Sequence, residues 1–216
     1  MHFAFWLISS YLLVKRSSVF ETKKMSKRSA PKGTWQAFLD LQCPYSCKFW
    51  MKRKEIEDKF ADDYDFSYHL TSLAFHPQAF FAQKAAMLVE VKKGKDDKIK
   101  FIDACFQNQE KYMDAAIGDA RPSEVHAVFA DIAQEAGIFD EESFTRQYFL
   151  DNIDNFDLTV KPAYVEHKYA LTYGVFGTPK FAIDDKIIQG TESSWGPEEW
   201  EEKLKTIKAK TEGDGL

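Results

Sequence analysis

Two of the three cysteines in this 216-residue chain lie four positions apart, inside the stretch Thr34 to Trp50, TWQAFLDLQCPYSCKFW. Trp35 to Leu41 reads as a short, mostly apolar strand, and the chain then turns at Pro44 into a helix beginning near Ser46. Cys43 therefore sits at a helix start. The first-turn amide hydrogens of a helix lack intrahelical partners and its dipole favours an anion, so a thiol placed there is drawn below the roughly 8.5 of a free cysteine. On that pattern Cys43 is the candidate nucleophile and is expected to be reachable from solvent. Its competing use is as a small, partly buried apolar residue.

The run Cys43-Pro44-Tyr45-Ser46-Cys47, between a strand and a helix, resembles the active-site turn of thioredoxin-fold proteins, particularly the DsbA-like thiol oxidoreductases and their glutathione transferase kappa relatives. A second motif, Gly177-Thr178-Pro179, resembles the cis-proline loop of that fold. The resemblance implies that Thr178 and Pro179 lie opposite Cys43, across a cis peptide bond, and offer backbone groups to an extended peptide or to glutathione. Pro44 and Tyr45 would border the same substrate. Without the upstream match, Pro179 reads as a trans proline opening an edge strand.

DsbA-like oxidoreductases carry a second cysteine three positions after the first. Here that position is Ser46, and Cys47 falls one residue late. Dithiol exchange needs a second thiol to resolve the mixed disulfide, which a hydroxyl cannot do. The resemblance thus implies monothiol, glutathione-dependent exchange: Cys43 attacks, Ser46 donates a hydrogen bond to its thiolate, and an external thiol releases the adduct. Cys47, four positions on, has its alpha carbon roughly 6 Å from that of Cys43, within disulfide range, but side chains along a regular helix are poorly directed for closure. Cys47 reads either as a resolving thiol on a distorted turn or as a buried neighbour.

Two other readings come from different classes. A kappa-like glutathione transferase or glutathione-binding protein would use the Ser46 hydroxyl to stabilise the glutathione thiolate. A noncatalytic thioredoxin-like binding module would use the fold without the chemistry. Asp40 could assist proton movement, though its charge would oppose thiolate formation, and no catalytic role is assigned to it. His76 reads as a proton shuttle or, more simply, as a strand-terminal histidine. No metal site is expected, because Cys43 and Cys47 lack a second close Cys/His pair and the 5 histidines are scattered. No bound cofactor is expected either. The partner is a protein or small-molecule thiol or disulfide, with glutathione as a cosubstrate.

The elements around the two motifs fit an α/β chain, a thioredoxin-like fold with an inserted all-helical domain. After the Cys43 turn a helix is expected from Ser46 to about Phe60, then a strand over Asp65 to Phe75 that His76-Pro77 ends. Helical patterns follow: Gln78 to Val91, Ile99 to Ala116 after a loop from Gly94 to Lys98, Ser123 to Ala136, Glu141 to Asn152, and Thr159 to Tyr173. Strands return over Val175 to Ile183 and Lys186 to Gln189 around an Asp184-Asp185 turn, before a last helix from Pro197 to about Lys208. Cys105, among Phe101, Ile102 and Phe106, reads as an inert core thiol, and Trp50 as a core residue. The domain reading is 34–77 with 174–210 as a discontinuous thioredoxin-like domain, 78–173 as the helical insertion, 1–33 as a leader or disordered extension, and 211–216 as a flexible tail.

Composition agrees with a folded globular protein: 44% hydrophobic, 15% aromatic and 19 phenylalanines. A net charge of -5 and the dispersal of basic residues after Met25 argue against a nucleic-acid partner. Three cysteines cannot form a fully paired disulfide framework. The apolar run in His2 to Val14 is too short for a membrane-spanning helix, so stable membrane insertion is not expected. It has signal-peptide length but lacks a preceding basic residue. If translation starts at Met25 the protein is expected to be cytoplasmic, whereas a genuine leader in residues 1–20 would direct it to a secretory or organellar compartment.

Overall fold

The computed structural model describes residues 32–213. The readings of the leader, the start site and the compartment fall on residues outside that range. Strand β1 (Gly33–Leu39) leads through a tight turn into α1 (Pro44–Trp50) and α2 (Arg53–Phe60), and β2 (Tyr64–Leu70) returns parallel to β1 with Trp35 opposite Phe66 and Leu39 opposite Leu70. The helices α3 (Ala79–Lys93), α4 (Lys95–Gln107), α5 (Asp114–Ile117), α6 (Pro122–Glu135), α7 (Arg146–Asn152) and α8 (Lys161–Thr172) then follow before the sheet resumes. Strand β3 (Lys180–Ile183) runs antiparallel to β1, β4 (Lys186–Ile187) closes a hairpin with it, and α9 (Pro197–Gly213) ends the described chain. The sheet order is β2-β1-β3-β4. This is a small thioredoxin-like sheet carrying an extensive helical subdomain between its second and third strands, the fold class the resemblance implies.

The sheet is covered on both faces, and the alternation of β1 shows how. Trp35, Ala37 and Leu39 point into the larger core with Phe181, Trp200 and Phe60, while Phe38 points the other way, onto Ala170, Val175 and Ala182. Trp35 lies against Trp200 with ring centroids 4.7 Å apart, and Phe181 packs edge-on against the same Trp200 at 4.8 Å. Each such ring, fully buried, contributes about 1.5–3 kcal/mol. Trp50 is core, as expected, with Arg53 stacked 3.9 Å over its ring. Cys105 is fully buried, and burial pushes its thiol pKa up, which suits an inert residue.

Several expected boundaries shift for identifiable reasons. The single helix expected from Ser46 to Phe60 is two, because the chain tightens at Lys52, whose N–H bonds back to Phe49 O. Arg53 then reaches Asp103 while still stacking on Trp50. The expected loop from Gly94 to Lys98 is already helix. Gly94, at φ +94, makes the break alone, and Asp96 and Asp97 sit in the first turn of α4, where the dipole favours acids. At its other end α4 stops at Gln107 rather than running on to Ala116, and a single turn of 3-10 helix, Gln109–Tyr112, follows. The hairpin turns at Asp184 and Asp185, both at positive φ, and Asp184 Oδ1 accepts the Thr34 N–H at 2.8 Å.

Candidate active site

Strand β1 ends at Leu39, two residues before the expected end, because Asp40 turns the chain. Its Oδ1 accepts the Gln42 N–H at 2.7 Å, an Asx turn, and its Oδ2 accepts the Leu73 N–H at 2.8 Å and meets His76 Nδ1 at 2.9 Å. One fully buried carboxylate thus ties the Cys43 turn to the chain leaving β2. Burial pushes the Asp40 pKa up, and the bonds from Leu73, His76 and Gln42 oppose that shift without cancelling it. His76 is placed as the partner of Asp40, and no hydrogen bond joins it to Cys43 among the described residues.

The same turn is held from the helical subdomain. Gln109 Nε2 donates to the carbonyls of Leu41 and Cys43, at 2.8 and 3.1 Å, and the Tyr112 hydroxyl donates to Leu41 O at 2.8 Å. Gln42 accepts the Gln78 N–H through its Oε1 and donates through Nε2 to Asp114, each at 2.7 Å. Sequence reasoning did not find these residues. Gln109 and Tyr112 stand more than sixty positions from the turn, and a glutamine or tyrosine inside a helical pattern carries no local sign of its target.

Cys43 is the residue before α1, with Pro44 at the first helical position. Its carbonyl accepts the Cys47 N–H at 3.1 Å, so the helix starts directly from it. The sulfur does not bond the first-turn amides. It donates instead to Thr178 O at 3.3 Å. The Thr178-Pro179 peptide is cis. Topology explains the meeting: β1 and β2 are parallel and β3 is antiparallel to β1, with Phe38 opposite Lys180, so the ends of β1 and β2 and the start of β3 share one end of the sheet. Cys43, Thr178 and Pro179 are therefore brought together, with Pro44 and Tyr45 exposed beside them. The expectation of a sulfur reachable from solvent needs correcting, since Cys43 is only 3% exposed. The Thr178 carbonyl lies against the thiol, and an incoming disulfide must take that place or approach beside it.

Ser46 and Cys47 point elsewhere. The Ser46 hydroxyl is fully buried and accepts the Asp40 N–H at 3.2 Å, and no hydrogen bond joins it to Cys43 among the described residues. The Cys47 thiol is half-buried and donates to Phe106 O at 3.5 Å, on α4. Burial, the Glu110 carboxylate and Cys43 all push the Cys47 pKa up, so at neutral pH it stays a thiol rather than a nucleophilic thiolate. Cys43, Cys47 and Cys105 are all free. Among the described residues no group of three or more His, Cys, Asp or Glu side chains is arranged to hold a metal ion, and no helix is long and apolar enough to cross a membrane.

A family model described as Thioredoxin matches residues 27–208, most of the chain. The chain belongs to that thioredoxin family. A protein-disulfide isomerase candidate from Pseudomonas syringae is 19% identical, with 78% of this chain and 90% of that chain covered and a TM-score of 0.64. Alpha-DsbA1 of Wolbachia pipientis is 16% identical over 83% of this chain and 87% of that one, with a TM-score of 0.60. Oxidised BdbD of Bacillus subtilis is 22% identical over 82% and 88%, with a TM-score of 0.55. At these identities the similarity to solved structures speaks for the fold. A comparison with curated proteins gives no match. The DsbA-like fold thus accounts for the meeting of the two separated motifs, and the chemistry rests on this chain's own residues.

Proposed function

We propose that this DsbA-like protein is a thiol–disulfide oxidoreductase that works through Cys43 alone and uses glutathione as its cosubstrate. The carrying observation is the pair of sulfur positions: Cys43 Sγ lies against Thr178 O, while the other nearby thiol, Cys47, is turned onto Phe106 O. Exchange proceeds by attack of the Cys43 thiolate on one sulfur of a glutathione mixed disulfide. The old S–S bond breaks, the departing thiolate takes up a proton, and a new disulfide joins Cys43 to the attacked sulfur. When that sulfur is glutathione's, a second glutathione thiolate attacks the adduct, which frees Cys43 and gives oxidised glutathione. The electron count closes with glutathione as reductant.

Thr178 and Pro179, with Pro44 and Tyr45, would border the bound disulfide. The buried Ser46 hydroxyl, holding the Asp40 amide, supports a positioning role for Ser46 and argues against its acting as the activating hydroxyl of a kappa-like transferase. The test is turnover of a glutathionylated model peptide with reduced glutathione. Cys47→Ala is expected to keep its rate within about twofold of the parent, because Cys47 takes no part in the cycle. Loss of turnover in that variant would replace the monothiol cycle with one resolved by Cys47.

A further inference from the structure

Among the described residues β2 is an outer strand, paired with β1 on one side only. The direction of its peptide groups is fixed at both ends. Asp63 O accepts the Gly33 N–H, and the Thr71 N–H donates to Leu39 O, so the odd-numbered residues face β1. Leu70 faces away: its N–H donates to Glu166 Oε1 at 3.2 Å, and its carbonyl accepts from Gln83 Nε2 at 2.8 Å. Peptide groups alternate along a strand, so Phe66 and Tyr68 present their N–H and C=O groups outward as well. No hydrogen bond outside the β1 ladder reaches these four groups among the described residues.

They face a cleft of about 870 Å³, the size of a ligand site. Met87 of α3, Ile99 of α4 and Val165 of α8 line it with apolar surface. Most of its charges answer one another: Lys98 pairs with Glu90 and Glu166, at 2.7 and 3.5 Å, and Arg53 lies 3.9 Å from Glu57. Lys95 also lines the cleft and has no ion-pair partner among the described residues.

An unpaired strand edge is a template for another chain, and proteins ordinarily cover it, charge it or break it. Among the described residues the hydrogen-bonded cover along β2 reaches Leu70 and stops. Helices α3, α4 and α8 line the cleft along the rest of the edge. Two donors and two acceptors at strand spacing match an extended main chain, and the apolar lining matches apolar side chains on alternate residues, which share one face of such a strand. We infer that this cleft binds an extended peptide segment added beside β2, with apolar side chains on alternate residues and an acidic one against Lys95. None of the residues lining it belongs to the Cys43 turn or the Thr178 loop, so the inference stands whether or not Cys43 exchanges disulfides.

The probe is a blocked octapeptide of alternating valine and threonine ending in glutamate, titrated into the full chain with amide hydrogen exchange read by NMR. Two further peptides carry N-methyl groups on alternate residues, one in each register. Saturable binding should protect the Phe66 and Tyr68 amides, and one N-methylated register should bind while the other does not. Val165→Arg, at a residue 57% exposed and away from the thiol, should weaken binding at least tenfold and leave turnover of the glutathionylated peptide unchanged. Absence of saturable binding at millimolar peptide would overturn the inference, as would binding that protects neither amide or that treats both N-methylated registers alike.

Discussion

Replacing Cys43 with serine is expected to reduce turnover of a glutathionylated peptide by at least about a thousandfold, to the uncatalysed background, since enzymatic acceleration starts near a millionfold. The reasoning is positional. Of the three free thiols, Cys105 is fully buried, Cys47 is turned onto Phe106 O and held protonated, and Cys43 alone meets the Thr178 loop. Fold should be retained, because serine at position 43 keeps the main-chain bonds from Cys47 and Gln109 and can still donate to Thr178 O. Unchanged turnover in the variant, measured beside a normal melting curve, would move the chemistry to another residue.

The second large effect is expected at Asp40. Asp40→Ala leaves the buried amides of Gln42 and Leu73 without acceptors, at about 1–3 kcal/mol each, so the variant should lose about 2–5 kcal/mol of stability in denaturant titration. The pH dependence carries its own sign. Burial raises the Asp40 pKa above its ordinary value of 3.8, so between that value and the raised one the folded state binds more protons than the unfolded state. Stability contributed by this group therefore rises as pH falls through that window and is lost as pH rises out of it. Alanine has no such group, and the gap between parent and variant should widen on mild acidification. A gap that stayed constant or narrowed there would show that Asp40 is not held in the environment described. Turnover should fall as well, because the turn bearing Cys43 hangs from this carboxylate.

Much of this was legible before any coordinates, and the residues show why. Strand, turn and helix around Cys43 were readable because apolar alternation and Pro44 act locally. The partnership of Cys43 with Thr178 was readable only because two motifs 135 positions apart resemble parts of one known arrangement. Neither spacing nor composition joins them. The depth of the sulfur was misjudged, since a helix start says nothing of what the far end of the chain lays over it. Asp40 was readable only as a carboxylate beside the Cys43 turn, with no catalytic role assigned. Its role depends on Leu73 and His76, which reach it only because β2 runs parallel to β1. The glutamine and tyrosine bonds from the helical subdomain, and the unpaired edge of β2, are facts of assembly with no local signature.

The central claim is that one sulfur, Cys43, carries the exchange. Exposure of the reduced protein to oxidised glutathione, followed by tryptic digestion and fragmentation, tests it directly. Cys43 and Cys47 fall on the same tryptic peptide, ending at Lys48, so fragment ions must separate them. A single glutathione adduct located on Cys43, removed again by reduced glutathione, is the predicted result. An adduct confined to Cys47 or Cys105, no adduct at all, or an internal Cys43–Cys47 disulfide would contradict the account.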